Sequence, residues 1–225
     1  MTRRRTVAGG GTEVEVPLDR LVGWVGRFGE RNGGLAELTT DGAVVRIRGG
    51  DGTLATIEVP FGPLAVGERH PVEALLDHLR GLGPLGLILV RGGAHSVGVA
   101  VDGVVIRSST DRAYLQGRTA AGGWSQQRFA RRRGNQRTAS LADAADTAVR
   151  VLLPEPPAGL VLGGDRRALA DVLADPRLVP LTTLPSRTFA DIPEPRRAVL
   201  DDVAARSRSV PVVVAGRRSP AEPIA

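Results

Sequence analysis

Leu85-Gly86-Leu87-Ile88-Leu89-Val90-Arg91-Gly92-Gly93-Ala94-His95-Ser96-Val97-Gly98-Val99-Ala100-Val101-Asp102-Gly103-Val104-Val105-Ile106 carries the fold decision. Leu85 to Val90 is a continuous apolar run, the pattern of a strand buried on both faces. Ser96 to Val101 and Val104 to Ile106 flank Asp102-Gly103, a hairpin turn signal, because both central residues of such a turn need positive φ. Three consecutive antiparallel strands are predicted, with Ala113 to Leu115 as a further strand. Alternation then changes character. Gln126 to Leu152 has the helical period through Phe129, Leu141, Ala145, Ala148, Val149 and Leu152. Gly159 to Leu162 reads as a buried strand and Arg166 to Leu173 as a helix started by Asp165. Val179 to Leu184 reads as a strand, Pro195 to Ala205 as a helix and Val210 to Val214 as a last strand. Strands alternating with helices after an antiparallel opening predict an α/β unit, a mixed sheet covered by helices.

Upstream of this unit the sequence predicts a smaller one. Leu18, Leu21, Val22, Val25 and Phe28 hold i, i+3, i+4, i+7 spacing, and the pattern stops at Asn32-Gly33-Gly34. Leu35 to Leu38, Ala43 to Ile47 and Leu54 to Val59 alternate between Asp41-Gly42 and Gly49-Gly50-Asp51-Gly52, which makes a small antiparallel meander. The expected organisation is a flexible leader (residues 1–16), a small N-terminal α+β domain (17–70) and a linker helix (71–84). A catalytic-size domain (85–215) and a disordered tail (216–225) follow.

The chain has 225 residues, 42% hydrophobic and 24% charged, enough for real cores. Seven aromatics leave the interior to aliphatic side chains and argue against a stacking platform for single-stranded bases. The absence of cysteine excludes disulfides, thiolate metal sites and thiol nucleophiles. No apolar run approaches the roughly 20 residues of a membrane span, and no signal peptide follows the basic start, so a cytoplasmic protein is expected. All 30 basic residues are arginine. Seven of them and no carboxylate lie between Arg112 and Ala142, a local +7 against −1 for the rest of the chain. Permanently charged, fork-shaped groups in one segment suit phosphate oxygens.

Conventional catalytic arrangements are missing. His70, His78 and His95 lack metal-ligand spacing. Gly123-Trp124-Ser125 lacks the second glycine of a nucleophile elbow. Gly49-Gly50, Gly92-Gly93 and Gly163-Gly164 read as turns, since none precedes the Lys and hydroxyl of a phosphate-binding loop. Asp102, Asp111 and Asp165 are the carboxylates open to a two-metal nuclease, but Asp102 fits a turn and Asp165 a helix start better.

Gly117 to Arg133 is different. Gly122-Gly123 supplies a loop able to approach another backbone, Ser125 is a natural N-cap, and Gln126-Gln127 precede three consecutive arginines. The layout presents an uncharged amide at the tip of a cationic arm.

Gly-Gly followed by Gln and Arg128-Phe129-Ala130-Arg131 resembles the catalytic loop and following helix in the middle domain of eukaryotic and archaeal class I release factors. More closely, Gly122 to Arg133 is similar to actinobacterial-type release-factor-like peptidyl-tRNA hydrolases, relatives of a eukaryotic hydrolase of ribosome quality control. The resemblance covers Leu85 to Val214 and implies a release-factor middle-domain-like, ribonuclease-H-like domain. It departs from Gly-Gly-Gln by the inserted Trp124-Ser125, and the serine-glutamine form favours Gln126 over Gln127. What it implies is hydrolysis of the ester of peptidyl-tRNA on the large ribosomal subunit, with Gly122, Gly123, Gln126 and Gln127 catalytic. Arg118, Arg128, Arg131, Arg132, Arg133 and Arg137 would bind RNA, and neither metal nor other cofactor is implied. A non-catalytic ribosome- or RNA-binding protein and a metal-dependent ribonuclease-H-like nuclease are the other readings.

Overall fold

The computed structural model describes residues 4–7, 10–65, 67, 69–112 and 124–216, and for 124–135 the helix backbone alone. The chain is mixed α/β and divides into two units, residues 1–81 with 208–225, and 82–207.

The first unit holds a six-stranded sheet, in the order β1 (Arg4–Thr6), β2 (Thr12–Val16), β11 (Val210–Ala215), β5 (Leu54–Glu58), β4 (Val44–Gly49), β3 (Leu35–Thr40). Two expectations are corrected here. Residues 1–16 were expected to be a leader, yet β2 alternates Thr-Glu-Val-Glu-Val, burying Val14 and Val16 and pairing with β1. Val210 to Val214 was expected in the second domain. It instead pairs antiparallel with both β2 and β5, Val212 lying opposite Val14 and Ile57. An apolar run announces a buried strand but not its partners, and here the partners come from the other end of the chain.

Two helices belong to this unit. In α1 (Leu21–Arg31) Leu21, Val25 and Phe28 are buried, and Trp24 stacks on Phe28 at 5.5 Å between centroids. The expected linker helix is α2 (Pro71–Arg80), started by proline at its first position. It buries Val72, Leu75, Leu76 and Leu79 within the first unit, and Arg208 Nη2 donates to the Leu79 carbonyl at 3.0 Å.

The second unit has the expected mixed sheet, in the order β10 (Ser186–Phe189), β9 (Gly159–Gly164), β6 (Leu85–Arg91), β7 (Ala94–Val101), β8 (Val104–Arg112). Strands β6, β7 and β8 are antiparallel, and β9 and β10 run parallel to β6. Counted from the unit's own first strand the order is 3-2-1-4-5, the ribonuclease-H-like arrangement. Asp102 (φ 53°) and Gly103 (φ 80°) make the β7–β8 turn with both residues at positive φ, which settles Asp102 as a turn residue.

Helix α3 (Trp124–Leu152) runs unbroken through Gly134 and packs on β7. It is followed by α4 (Arg166–Leu173), α5 (Val179–Thr182) and α6 (Arg197–Ser207). Val179 to Leu184 was expected to be strand, yet Val179–Thr182 is helix. Pro176 and Pro180 sit at first-turn positions of a 3-10 turn (Pro176–Leu178) and of α5, where a missing N–H costs nothing, and Asp175 caps the first of these. The last strand of this sheet is the polar Ser186–Phe189. The expected strand Ala113 to Leu115 lies outside the described residues, as does the tail from Arg217.

Candidate functional site

The part of the expected site from Gln126 to Arg137 is carried by α3, which the sheet holds in place. Ala144, Ala145, Ala148, Val151 and Leu152 are buried with Ile88, Val90, Val97 and Val99 of the sheet. Alanine at these positions lets the helix lie close to the strands. Polar bonds then fix its position along its own axis. Ser140 Oγ donates to the Gly93 carbonyl at 3.0 Å, Thr147 Oγ1 meets His95 Nε2 at 3.2 Å, and Arg150 donates to Ser109 Oγ at 3.3 Å. On the outer side Arg177 bridges Asp146 (2.7 Å) and Asp175 (2.6 Å).

The ionisable groups here have structural causes for their shifts. Burial pushes the His95 imidazole down. The carboxylates of Asp111 and Asp143 oppose that shift, and Arg150 adds to it. The Asp175 carboxyl is held down to about 2 by Arg177, through its guanidinium and then its backbone N–H. His95 is 2% exposed and its Nδ1 has no partner among the described residues, so it is a core histidine. Among the described residues no group of three or more His, Asp or Glu is placed to hold a metal ion. Asp165, the third carboxylate considered for a nuclease, caps α4 by accepting from the N–H groups of Arg167 (3.0 Å) and Ala168 (3.2 Å).

Of the expected site residues, Gln126, Gln127, Arg128, Arg131, Arg132 and Arg133 fall in the first three turns of α3. The helix already includes Trp124 and Ser125, so Ser125 is not its N-cap. Gly122, Gly123 and Arg118 lie outside the described residues. Arg137 is described. Its side chain is half exposed and its Nη2 stands 4.0 Å from Asp165 Oδ2.

That pair marks an end of the sheet which sequence reasoning passed over. Strands β6 and β9 both terminate here, Val90 opposite Gly164, and Asp165 N donates to the Val90 carbonyl. Arg91 donates to the Ile192 carbonyl, Arg112 pairs with Glu194 at 3.3 Å, and Arg166 and Arg167 begin α4 exposed to solvent. The signal for Arg166-Arg167 in the sequence was weak, since one dipeptide among acidic neighbours does not form a charge run. Among the described residues no helix is long and apolar enough to cross a membrane.

No curated protein matches the chain. Among solved structures it is similar to Archaeoglobus fulgidus Pelota, at 12% identity and a TM-score of 0.33, over 90% of this chain and 66% of that one. It is also similar to the archaeal translation termination factor aRF1, at 12% identity and a TM-score of 0.30, over 87% of this chain and 66% of that one. The chain thus spans 66% of the length of each, and at these scores neither likeness bears on the fold. Residues 83–213, from just before β6 into β11, match the family described as the Actinobacteria/chloroflexi VLRF1 release factor, and since that is more than half of the chain, the chain belongs to this family.

Proposed function

We propose that the chain is a cytoplasmic peptidyl-tRNA hydrolase that releases nascent peptide on obstructed large ribosomal subunits. The observation that carries this reading is Gly122-Gly123-Trp124-Ser125-Gln126-Gln127 running into the arginine-rich start of α3, in a chain of the release-factor family. In the reaction a water oxygen adds to the ester carbonyl, the ribose oxygen leaves, and the water proton ends on that oxygen. The products are a free peptide and tRNA with its terminal hydroxyl restored. Gln126 takes no proton, because an amide does not titrate. Its amide oxygen accepts from the water and its amide N–H donates to the developing oxyanion, so its contribution is positioning and electrostatic stabilisation. An uncharged group also avoids repulsion by RNA phosphates. Gly122 and Gly123 let the backbone approach the ester closely.

Arg118, Arg128, Arg131, Arg132, Arg133 and Arg137 supply charge for RNA phosphates. At about 100° per residue, positions 128 and 132 of α3 lie about 160° from the centre of positions 144, 148 and 152, which the same helix buries. That phase supports an RNA-facing role for positions 128 and 132.

The test is incubation with large subunits carrying peptidyl-tRNA. Wild-type protein should yield free peptide and intact tRNA, and Gln126→Ala should lose about 100- to 1,000-fold in rate while still binding. Wild-type release by both Gln126→Ala and Gln127→Ala would reject the hydrolase reading in favour of plain RNA binding.

A further inference from the structure

Strand β8 forms one edge of the second unit's sheet, and among the described residues it pairs with β7 alone. It has nine residues, whereas the opposite edge, β10, has four, and the edge strand β1 of the first unit has three. A short edge leaves few N–H and C=O groups open to a foreign strand, which is one way sheets avoid pairing. β8 does not use it. Its first residues also keep aliphatic side chains in solvent, Val104 at 65% exposure and Ile106 at 62%. Ile106 is an extra residue with no partner on β7, and from Arg107 to Arg112 the ladder then runs regularly against Val99 to Ala94.

Within that regular stretch, Arg107, Ser109 and Asp111 lie on the face of Val99, Val97 and His95, and Ser108 and Thr110 lie on the other. Two of these side chains are incompletely engaged. Arg107 is 40% exposed, reaches Glu155 only at 3.4 Å, and leaves Nε and Nη2 without a partner among the described residues. Asp111 is exposed and accepts from the N–H of Arg112, with no ion pair among the described residues. RNA suits this edge poorly, since it would meet Asp111, Glu155 and Glu194 along it.

A second β8 suits it well. With two strands antiparallel about a two-fold axis at Ser109, that residue lies opposite the partner subunit's Ser109. Ser108 then lies opposite the partner's Thr110, and Arg107 opposite the partner's Asp111. The axis repeats each contact, and antiparallel neighbours share a face, so two Arg–Asp pairs and two hydroxyl pairs form together. Moving the register by one residue instead sets Arg107 against the partner's Arg112, a like-charge pair. We propose that β8 is a self-association edge, at which two copies of the chain join antiparallel, centred on Ser109, with both α3 helices on the same side of the joined sheet.

The chain has no cysteine, so Ser109→Cys introduces a single thiol. Directly opposed residues of antiparallel strands have Cα atoms about 4.5–5.5 Å apart, within disulfide reach. Under mild oxidation the full-length Ser109→Cys chain should cross-link into a covalent dimer. Ser108→Cys, which faces the partner's Thr110 and not its own counterpart, should cross-link far less. Sedimentation of the wild-type chain should show a species of twice 23.6 kDa that dissociates on dilution. Arg107→Asp and Asp111→Arg should each weaken that dimer by roughly tenfold, because each sets two like-charged pairs face to face. The double variant Arg107→Asp/Asp111→Arg should restore it, which a folding defect would not do. A wild-type chain that stays monomeric, equal cross-linking at 108 and 109, or a double variant no tighter than the single ones overturns the proposal.

Discussion

The Ser140 hydroxyl donates to the Gly93 carbonyl oxygen 3.0 Å away, joining the middle of α3 to the β6–β7 turn. Ser140 is buried, and the candidate positions from Gln126 to Arg137 lie N-terminal to it on the same helix. Ser140→Ala should therefore lower stability by about 1 kcal/mol, the net value of a hydrogen bond plus part of the desolvation of Gly93. Denaturant unfolding measures the loss. Faster amide exchange at Gly93 and Ala94 should accompany it.

Gly164 is a second fixed point of the same end. It has φ of 104°, and a Cβ there would run into the Val90 carbonyl oxygen, which is backbone and cannot move aside. Gly164→Ala should cost more than about 1 kcal/mol, since both strain and a clash oppose it. Gly26→Ala is the contrasting case, in the middle of α1 with nothing within 4 Å of the added carbon. It should stabilise the protein by up to about 1 kcal/mol. Equal effects at both sites would contradict this account.

The placement of β11 makes a prediction about fragments. Val210–Ala215 is an interior strand of the first unit, pairing on both sides, while the second unit is continuous from residue 82 to 207. A chain ending at Ser207 should lose the first unit, seen as selective proteolysis of residues 1–81, and keep the second protected. Proteolysis spread evenly over both units would overturn it.

These cases show what the sequence could and could not specify. Asp102-Gly103 and Asp165 were legible because one residue's backbone or side-chain chemistry determines the local structure. Val210 to Val214 was legible as a strand, but its pairing with Val14 and Ile57 depends on chain closure over nearly the whole length. Val179 to Leu184 misled because Val-Pro-Leu is apolar in either conformation, and Pro180 fits the first turn of α5. The arginine stretch of α3 was legible as charge. The approach of Arg137 to Asp165 was not, because it joins two elements distant in the sequence.

His95 supplies a pH prediction. Burial lowers its pKa below 6.5 in the fold, so between the two values the unfolded chain binds a proton that the folded chain refuses. Stability from this residue is present above about pH 6.5 and declines as pH falls toward the folded value. The groups facing it are Thr147, Asp111, Asp143 and Arg150. His95→Gln should flatten the fall in denaturation midpoint between pH 7.5 and pH 5. A parallel fall in both proteins would show that His95 does not contribute.

Arg131, Arg132 and Arg133 occupy consecutive positions of α3, so they span most of a helical turn and cannot all meet one ligand surface equally. If the stretch binds RNA, reversing all three charges should weaken ribosome association and reduce the salt slope by fewer than three units, because at least one of the three faces away from the RNA. The reduction should appear on empty and loaded large subunits alike, as expected for contacts with ribosomal RNA. Single reversals then rank the positions, with the largest loss at 132, which shares the outward sector with 128, and the smallest at 133. Equal losses at all three would point to an unstructured arm folding around RNA, and no loss at any would leave the stretch as a solvated helix face.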